Sequence, residues 1–193
     1  VAASDNASVE HDAIRHPARK FFLEAATSPD RRKGTLEAVA GKTSAGILLF
    51  RRSGELTEVL LGHMGGPFWA KKDAGGWSIP KGEYEPDETP EAAARREFQE
   101  ELGLPAPEGE YLPLGVVKQS GGKVVTVWAV EGDLDPAQVV PGTFEMEWPP
   151  RSGRTQEFPE VDRVAWFGLA EAEEKLLKGQ RPFLARLAES LSG

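Results

Sequence analysis

Glu97, Glu100 and Glu101 fall within "REFQEEL", residues 96–102. On a helix each residue advances by about 100°, so spacings of three and four bring these carboxylates to one side. Like charges so placed repel and cost the helix stability. A hard divalent cation, which prefers oxygen ligands, would offset the repulsion. It would also polarise a phosphoryl oxygen and lower the pKa of bound water. For an isolated "EFQEE" a merely solvated acidic face is the better reading, so the surrounding residues have to decide.

The elements that position this cluster can be read along the chain. Residues 90–102 read as a helix, with Thr89 as N-cap, Pro90 at the first position, Glu91 in the first turn and Gly103 to end it. Phe98 and Leu102 point to another side and can fix the helix to a sheet. Upstream, "SAGILLF" (44–50) suits a buried strand and "EVLLGHM" (58–64) a second. Residues 65–88, punctuated by Gly and Pro, should be mostly loop. Downstream, 111–119 and 123–132 read as a strand pair joined at "SGG". Residues 133–160 read as a long polar connection with five prolines, and 161–167 as a last strand. Amphipathic helices are expected at 169–177 and 182–191. Strands and helices interleave, which predicts an α/β architecture: a mixed sheet covered by helices.

Residues 1–42 differ in character and read as an N-terminal extension, with 43–193 as the main domain, C-terminal helices included. Within the extension, "ARKFFLEAA" (18–26) could be a short helix. Phe21, Phe22 and Leu23 are apolar enough to need a partner, either the domain or the second subunit of a homodimer.

Composition narrows the function. The 193 residues carry a net charge of −8, which argues against general nucleic-acid binding. Eight acids and two arginines between Glu83 and Glu101 hold a balance of −6, so the acidity is concentrated where the helix lies. There is no cysteine, which excludes disulfides, thiolate metal sites and a thiol nucleophile. Three scattered histidines do not suggest an imidazole metal site. No run is long and apolar enough to span a membrane and no signal pattern opens the sequence, so no membrane association and a cytoplasmic protein are the expectations.

The string "GEYEPDETPEAAARREFQEELGL", Gly82 to Leu104, joins Gly82, Glu88, Arg96, Glu97, Glu100, Glu101 and Gly103 at spacings that resemble the signature of the Nudix hydrolase family. Every fixed position matches, with Phe98 a liberal fit to an aliphatic slot. The solvated-face reading is set aside on that ground. The resemblance implies a Nudix-type α/β/α sandwich and a hydrolase that cleaves a diphosphate linkage using Mg²⁺, or Mn²⁺ in its place. It implies Glu97, Glu100 and Glu101 as metal-site carboxylates, with the backbone carbonyl of Lys81 a further ligand. Glu88 and Arg96 are then supports, Arg96 able to pair with Glu88 or Glu97. Members of the family often draw another glutamate from a later loop as ligand or general base; Glu160 is the first choice here and Glu157 the second.

Lys81, in "WSIPKGE", would neutralise charge on a metal-bound polyphosphate. Its "PKG" form looks like the branch that contains dinucleoside polyphosphate hydrolases. Lys71 and Lys72 are weaker candidates, and Arg51 and Arg52 read equally well as solvated turn charges. Phe68, Trp69 and Trp77 could stack on a nucleobase, and Trp77 joins Lys81 and Lys72 among the substrate-binding candidates. The expected substrates are nucleoside triphosphates or dinucleoside polyphosphates. ADP-ribose or another sugar nucleotide is the alternative, as is a non-catalytic Nudix-fold module that binds a nucleotide without cleaving it.

Overall fold

A computed structural model describes residues 42–54, 56–119 and 121–192. The expected helix at 18–26 and the apolar group Phe21, Phe22 and Leu23 lie outside the described residues.

The architecture follows from one buried strand. β1 (Thr43–Ser53) is buried continuously from Ser44 to Phe50, so both of its faces must be covered. Alternation divides its side chains between two layers. Ala45, Ile47 and Leu49 pack with Ala93, Ala94, Phe98 and Leu102 of α1 (Pro90–Leu102). Leu48 and Phe50 face the other way, toward Leu176 and toward Phe183 and Leu187 of α3 (Pro182–Ser192), with Ala172 of α2 (Leu169–Lys175) in the same layer. The result is an α/β/α sandwich around a mixed sheet, as expected.

β6 (Val124–Glu131) runs parallel to β1 along its whole length on one edge, and β5 (Tyr111–Lys118) pairs antiparallel with β6. On the other edge β1 splits its partners. Its C-terminal half, Phe50–Ser53, pairs with β2 (Leu56–Met64), and its N-terminal half, Ser44–Gly46, pairs with β4 (Lys81–Glu83). β3 (Trp77–Ser78) pairs with the far end of β2, whose own outer edge takes β9 (Val161–Gly168). Residues 77–83 therefore fill the wedge where β1 and β2 diverge.

Residues 65–88 are mostly loop, as expected, apart from the two short strands in that wedge. β3 and β4 are two and three residues long and have no apolar alternation to reveal them. Their pairing comes from partners elsewhere in the chain. Buried Gln180 holds the junction: its Oε1 accepts from the Ile79 N–H at 2.8 Å and its Nε2 donates to Ser78 Oγ at 3.1 Å. The expected polar connection at 133–160 is likewise more ordered than its prolines suggest. It contains an antiparallel hairpin, β7 (Thr143–Glu147) with β8 (Thr155–Pro159). Among the described residues no helix is long and apolar enough to cross a membrane.

Candidate active site

Helix α1 begins and ends where local chemistry dictates. Thr89 Oγ1 accepts from the Ala92 N–H at 3.3 Å, and Pro90 follows at the first position. Gly103 closes it in the left-handed region, φ 70°, its N–H donating to the Gln99 carbonyl at 2.8 Å. Phe98 and Leu102 are fully buried against β1, which fixes the rotation of the helix and hence the direction of its glutamates.

Arg96 organises the nearer carboxylates. Its guanidinium grips Glu88 with two bonds, Nε to Oε1 at 2.9 Å and Nη2 to Oε2 at 2.8 Å. Nη1 donates to Glu97 Oε1 at 2.6 Å and to Glu100 Oε2 at 3.1 Å, and Nη2 reaches the Glu83 carbonyl at 3.3 Å. The sequence suggested Glu88 or Glu97 as partner; the structure gives both, and Glu100 as well. The bonds to Glu88, more than any other cause, raise the Arg96 pKa, with burial working against them and Glu97 adding to the rise. A planar donor fork suits this task where a lysine would not.

Glu97 is 5 % exposed and sits where only glycine leaves space for it. A Cβ on Gly82 would lie 1.8 Å from Glu97 Oε2. Gly82 thus serves the site by its missing side chain.

Glu101 turns toward the open edge of β4. Its Oε2 accepts from the Lys81 N–H at 3.1 Å. In a strand the N–H and C=O of one residue share an edge, so the Lys81 carbonyl is directed to the same side. Enclosure by protein, the largest cause, pushes the Glu101 carboxyl up to about 8; Lys81 opposes the rise, while Glu160 and Glu97 add to it. Although Glu101 keeps some exposed surface, its carboxyl group lies deep among protein atoms, and that enclosure governs its ionisation.

Glu160 arrives from the junction of β8 and β9. Its N–H donates to the Gly142 carbonyl at 2.8 Å and its carbonyl accepts from the Gly65 N–H at 2.9 Å. A Cβ placed on Gly142 would lie 2.9 Å from the Glu100 carbonyl oxygen and 3.3 Å from Glu160 Oε2, so Glu160 reaches the C-terminal half of α1. Glu157, by contrast, lies on the exposed hairpin, where its Oε1 accepts from Thr143 Oγ1 at 2.5 Å.

Two expected substrate contacts stand elsewhere. Trp77 is 3 % exposed and belongs to the α2–α3 layer, edge-on to His63 and Phe167 at centroid distances of 5.2 and 4.8 Å. Its Nε1 donates to Asp73. So little exposed, its ring is part of the core and leaves no open face for a stacked base. Lys72 is exposed and rests 4.4 Å over the Trp69 ring; among the described residues no ion pair joins it to the carboxylates. Arg51 pairs with Glu58 of β2 and with Asp133, just past β6, and Arg52 pairs with Glu131 of β6. Sequence reasoning missed Glu83, Gly142 and Gln180, none of which carries a local signal.

The donor set fits a hard cation. Glu97, Glu100, Glu101 and Glu160 gather around an edge that also presents a backbone carbonyl, and every one of these donors is an oxygen. Burial above all, and then Glu160 and Glu97, raise the Glu101 carboxyl against the pull of Lys81. Among the described residues no three acidic or imidazole groups already stand in ligand geometry. Arg96 accounts for part of that, since its guanidinium draws Glu97 and Glu100 to itself.

The NUDIX domain model matches residues 41–187, and the chain belongs to the Nudix family of pyrophosphohydrolases. Solved structures share the fold. A C. elegans Ap4A hydrolase in a binary complex is 21% identical, covering 79% of this chain and 98% of that one, with a TM-score of 0.52. The Nudix hydrolase RenU of M. smegmatis is 27% identical over 78% of this chain and 86% of its own, TM-score 0.50. The NUDIX domain of Shewanella oneidensis NrtR, crystallised with ADP ribose, is 18% identical over 86% and 95%, TM-score 0.53. No sequence among curated proteins matches the chain.

Proposed function

We propose that this protein hydrolyses a diphosphate linkage in nucleoside polyphosphates or dinucleoside polyphosphates, with Mg²⁺ or Mn²⁺ held by Glu97, Glu100, Glu101 and the carbonyl of Lys81. The observation that carries the reading is the meeting of Glu101 with the Lys81 N–H at the open edge of β4, beside Glu97 and Glu160. When bound, the cation supplies a polarised phosphoryl oxygen and an acidified water.

The chain's own residues supply the rest. Glu160 takes the proton of the attacking water on its carboxylate. The new bond joins the water oxygen to phosphorus, and the bond to the bridging oxygen breaks. The departing phosphate is already a weak base, so no acid is needed to release it. Lys81 places its ammonium where phosphate charge is left over. Arg96 keeps Glu97 and Glu100 in one orientation, so the carboxylates are placed before substrate arrives.

A substrate panel with Mg²⁺ and with Mn²⁺, products identified by mass, tests the reading. Adenosine and guanosine triphosphates and diadenosine polyphosphates are expected to be cleaved with little regard to base, and nucleoside monophosphates left intact. Preferred turnover of ADP-ribose would overturn the polyphosphate assignment. Nucleotide binding without metal-dependent turnover would overturn the catalytic one.

A further inference from the structure

Three half-exposed aromatic rings carry a cation. Lys72 lies over Trp69 at 4.4 Å, Arg51 over Trp166 at 4.3 Å and Arg95 over Tyr111 at 3.8 Å. Phe68 and Trp148 differ. They meet each other edge-on, with centroids 5.3 Å apart and planes at 82°. An edge-on contact sets the rim of one ring against one face of the other, so it leaves ring faces over. Phe68 is 40 % exposed, and among the described residues no other aromatic side chain is as open.

Trp148 follows β7, and the β7–β8 hairpin is tied to the carboxylate centre. The two strands form a sheet of their own, and such a ladder is marginal unless one face is packed. Alternation gives it two unlike faces. Glu145, Glu147, Thr155 and Glu157 point one way and are exposed. Phe144 and Phe158, opposite each other across the strands, point the other way, and Trp148 continues their face. That face rests on the loop after β2, since a Cβ on Gly66 would come 3.1 Å from Phe144 Cζ. The Trp148 N–H donates to the Arg154 carbonyl at 2.9 Å, which fixes the indole at the tip.

Glu160 joins the three parts. Its side chain reaches α1, its N–H holds Gly142 at the root of the hairpin, and its carbonyl holds the Gly65 N–H. Phe68 follows Gly65 by three residues, so its Cα lies within about 11 Å of that contact. The segment between them is wound into a tight turn, with the Trp69 and Ala70 N–H groups both donating to the Gly66 carbonyl at 3.2 Å. The open ring thus stands beside the carboxylates on a short, braced arm.

We propose that Phe68 and Trp148 form the nucleoside subsite of this centre: the base stacks on Phe68, with Trp148 as the wall beside it, and the phosphates lead back past Glu160 to α1. The proposal rests on the reading of a nucleotide substrate given above. A flat apolar ring selects a flat neutral group, and every base has a face to stack, so this wall suits adenine and guanine alike. The hairpin's glutamates lie on its other face, where they do not oppose the phosphates.

The test compares calorimetric binding of ATP and of inorganic tripolyphosphate to the full chain in EDTA, which arrests metal-dependent turnover. The nucleoside is what distinguishes the two ligands, and the wild type should bind ATP the more tightly. Phe68→Leu keeps an apolar side chain and removes the plane; it is expected to weaken ATP by about tenfold, the loss of one stacking contact, and to leave tripolyphosphate within about twofold. Phe68→Tyr should restore ATP binding, and Trp148→Leu should weaken it. With Mg²⁺, the Phe68→Leu loss should appear as a KM for diadenosine tetraphosphate raised by about tenfold, not in kcat. The exposed position of Phe68 makes an unchanged Tm the expectation for Phe68→Leu. Equal binding of ATP and tripolyphosphate by the wild type would overturn the subsite. So would unchanged ATP binding in Phe68→Leu, or an equal loss of both ligands with a lower Tm. A wild-type dimer that Phe68→Leu turns into monomer would make the rings an interface and overturn it too. A Phe68→Leu loss confined to ADP-ribose, run as a third ligand, would keep the subsite and overturn the polyphosphate reading. Polyphosphate cleavage with KM unchanged in Phe68→Leu would keep that reading and overturn the subsite.

Discussion

Gly82→Ala replaces a hydrogen with a methyl group at the point where β4 meets Glu97. The new Cβ would lie 1.8 Å from Oε2, 2.0 Å from Cδ and 2.5 Å from Oε1 of Glu97. Ordinary contact begins near 3.4 Å, so the carboxylate must retreat by roughly 1.5 Å. Glu97 is the end of a flexible side chain, so the fold can survive by moving it. The move breaks the 2.6 Å bond from Arg96 in a buried setting. Loss of a buried charge-assisted bond costs about 1–3 kcal/mol. For a chain of this size that lowers Tm by about 2–10 °C. The effect on turnover should be larger, because a displacement of about 1 Å at a positioned group can cost about 10²-fold. The assay pairs kcat/KM on diadenosine tetraphosphate with Mn²⁺ affinity by calorimetry and Tm by thermal melting. A folded Gly82→Ala protein with wild-type kcat/KM and unchanged Mn²⁺ affinity would refute the placement of Glu97 in the site.

Glu100→Gln and Glu101→Gln should each lower kcat by about 10²-fold or more with the fold intact, consistent with the loss of a preorganised charge; turnover like the wild type would remove that residue from the mechanism. In EDTA, Glu101 also predicts a pH effect. Its carboxyl is pushed above its ordinary 4.5 to about 8, so the folded state favours the protonated form. The stability it costs is absent below pH 4.5, grows between the two values and is complete above 8. Glu101→Gln should therefore raise Tm at pH 9 and change it little at pH 4, and equal shifts at both would refute the burial argument. Gln180→Leu leaves the Ile79 N–H without its acceptor, costing about 1–3 kcal/mol. Tm should fall, whereas an unchanged Tm would mean that the β3–β4 junction does not depend on Gln180.

What the sequence alone determined about this protein is local. The glutamates share a side of α1 because the helical period is set by backbone geometry, and Thr89, Pro90 and Gly103 mark its ends by turn and cap chemistry. The unbroken apolar run of β1 announced a strand covered on both faces. The spacing from Gly82 to Leu104 carried the family. What only the tertiary structure decided lies in long-range pairing. β4 is three residues of Lys-Gly-Glu, and nothing in them chooses β1 as partner. Glu160 reaches α1 because backbone bonds to Gly142 and Gly65 bend the chain there, and these cannot be read from composition. Trp77 has the chemistry of a stacking platform, yet burial against His63 and Phe167 makes it core. Lys81 stood out by its motif, whereas Lys42 and Lys123, far from it in sequence, carry no local signal. They meet because β4 and β6 flank the same end of β1, a packing outcome to which each short segment contributes only part of the free energy.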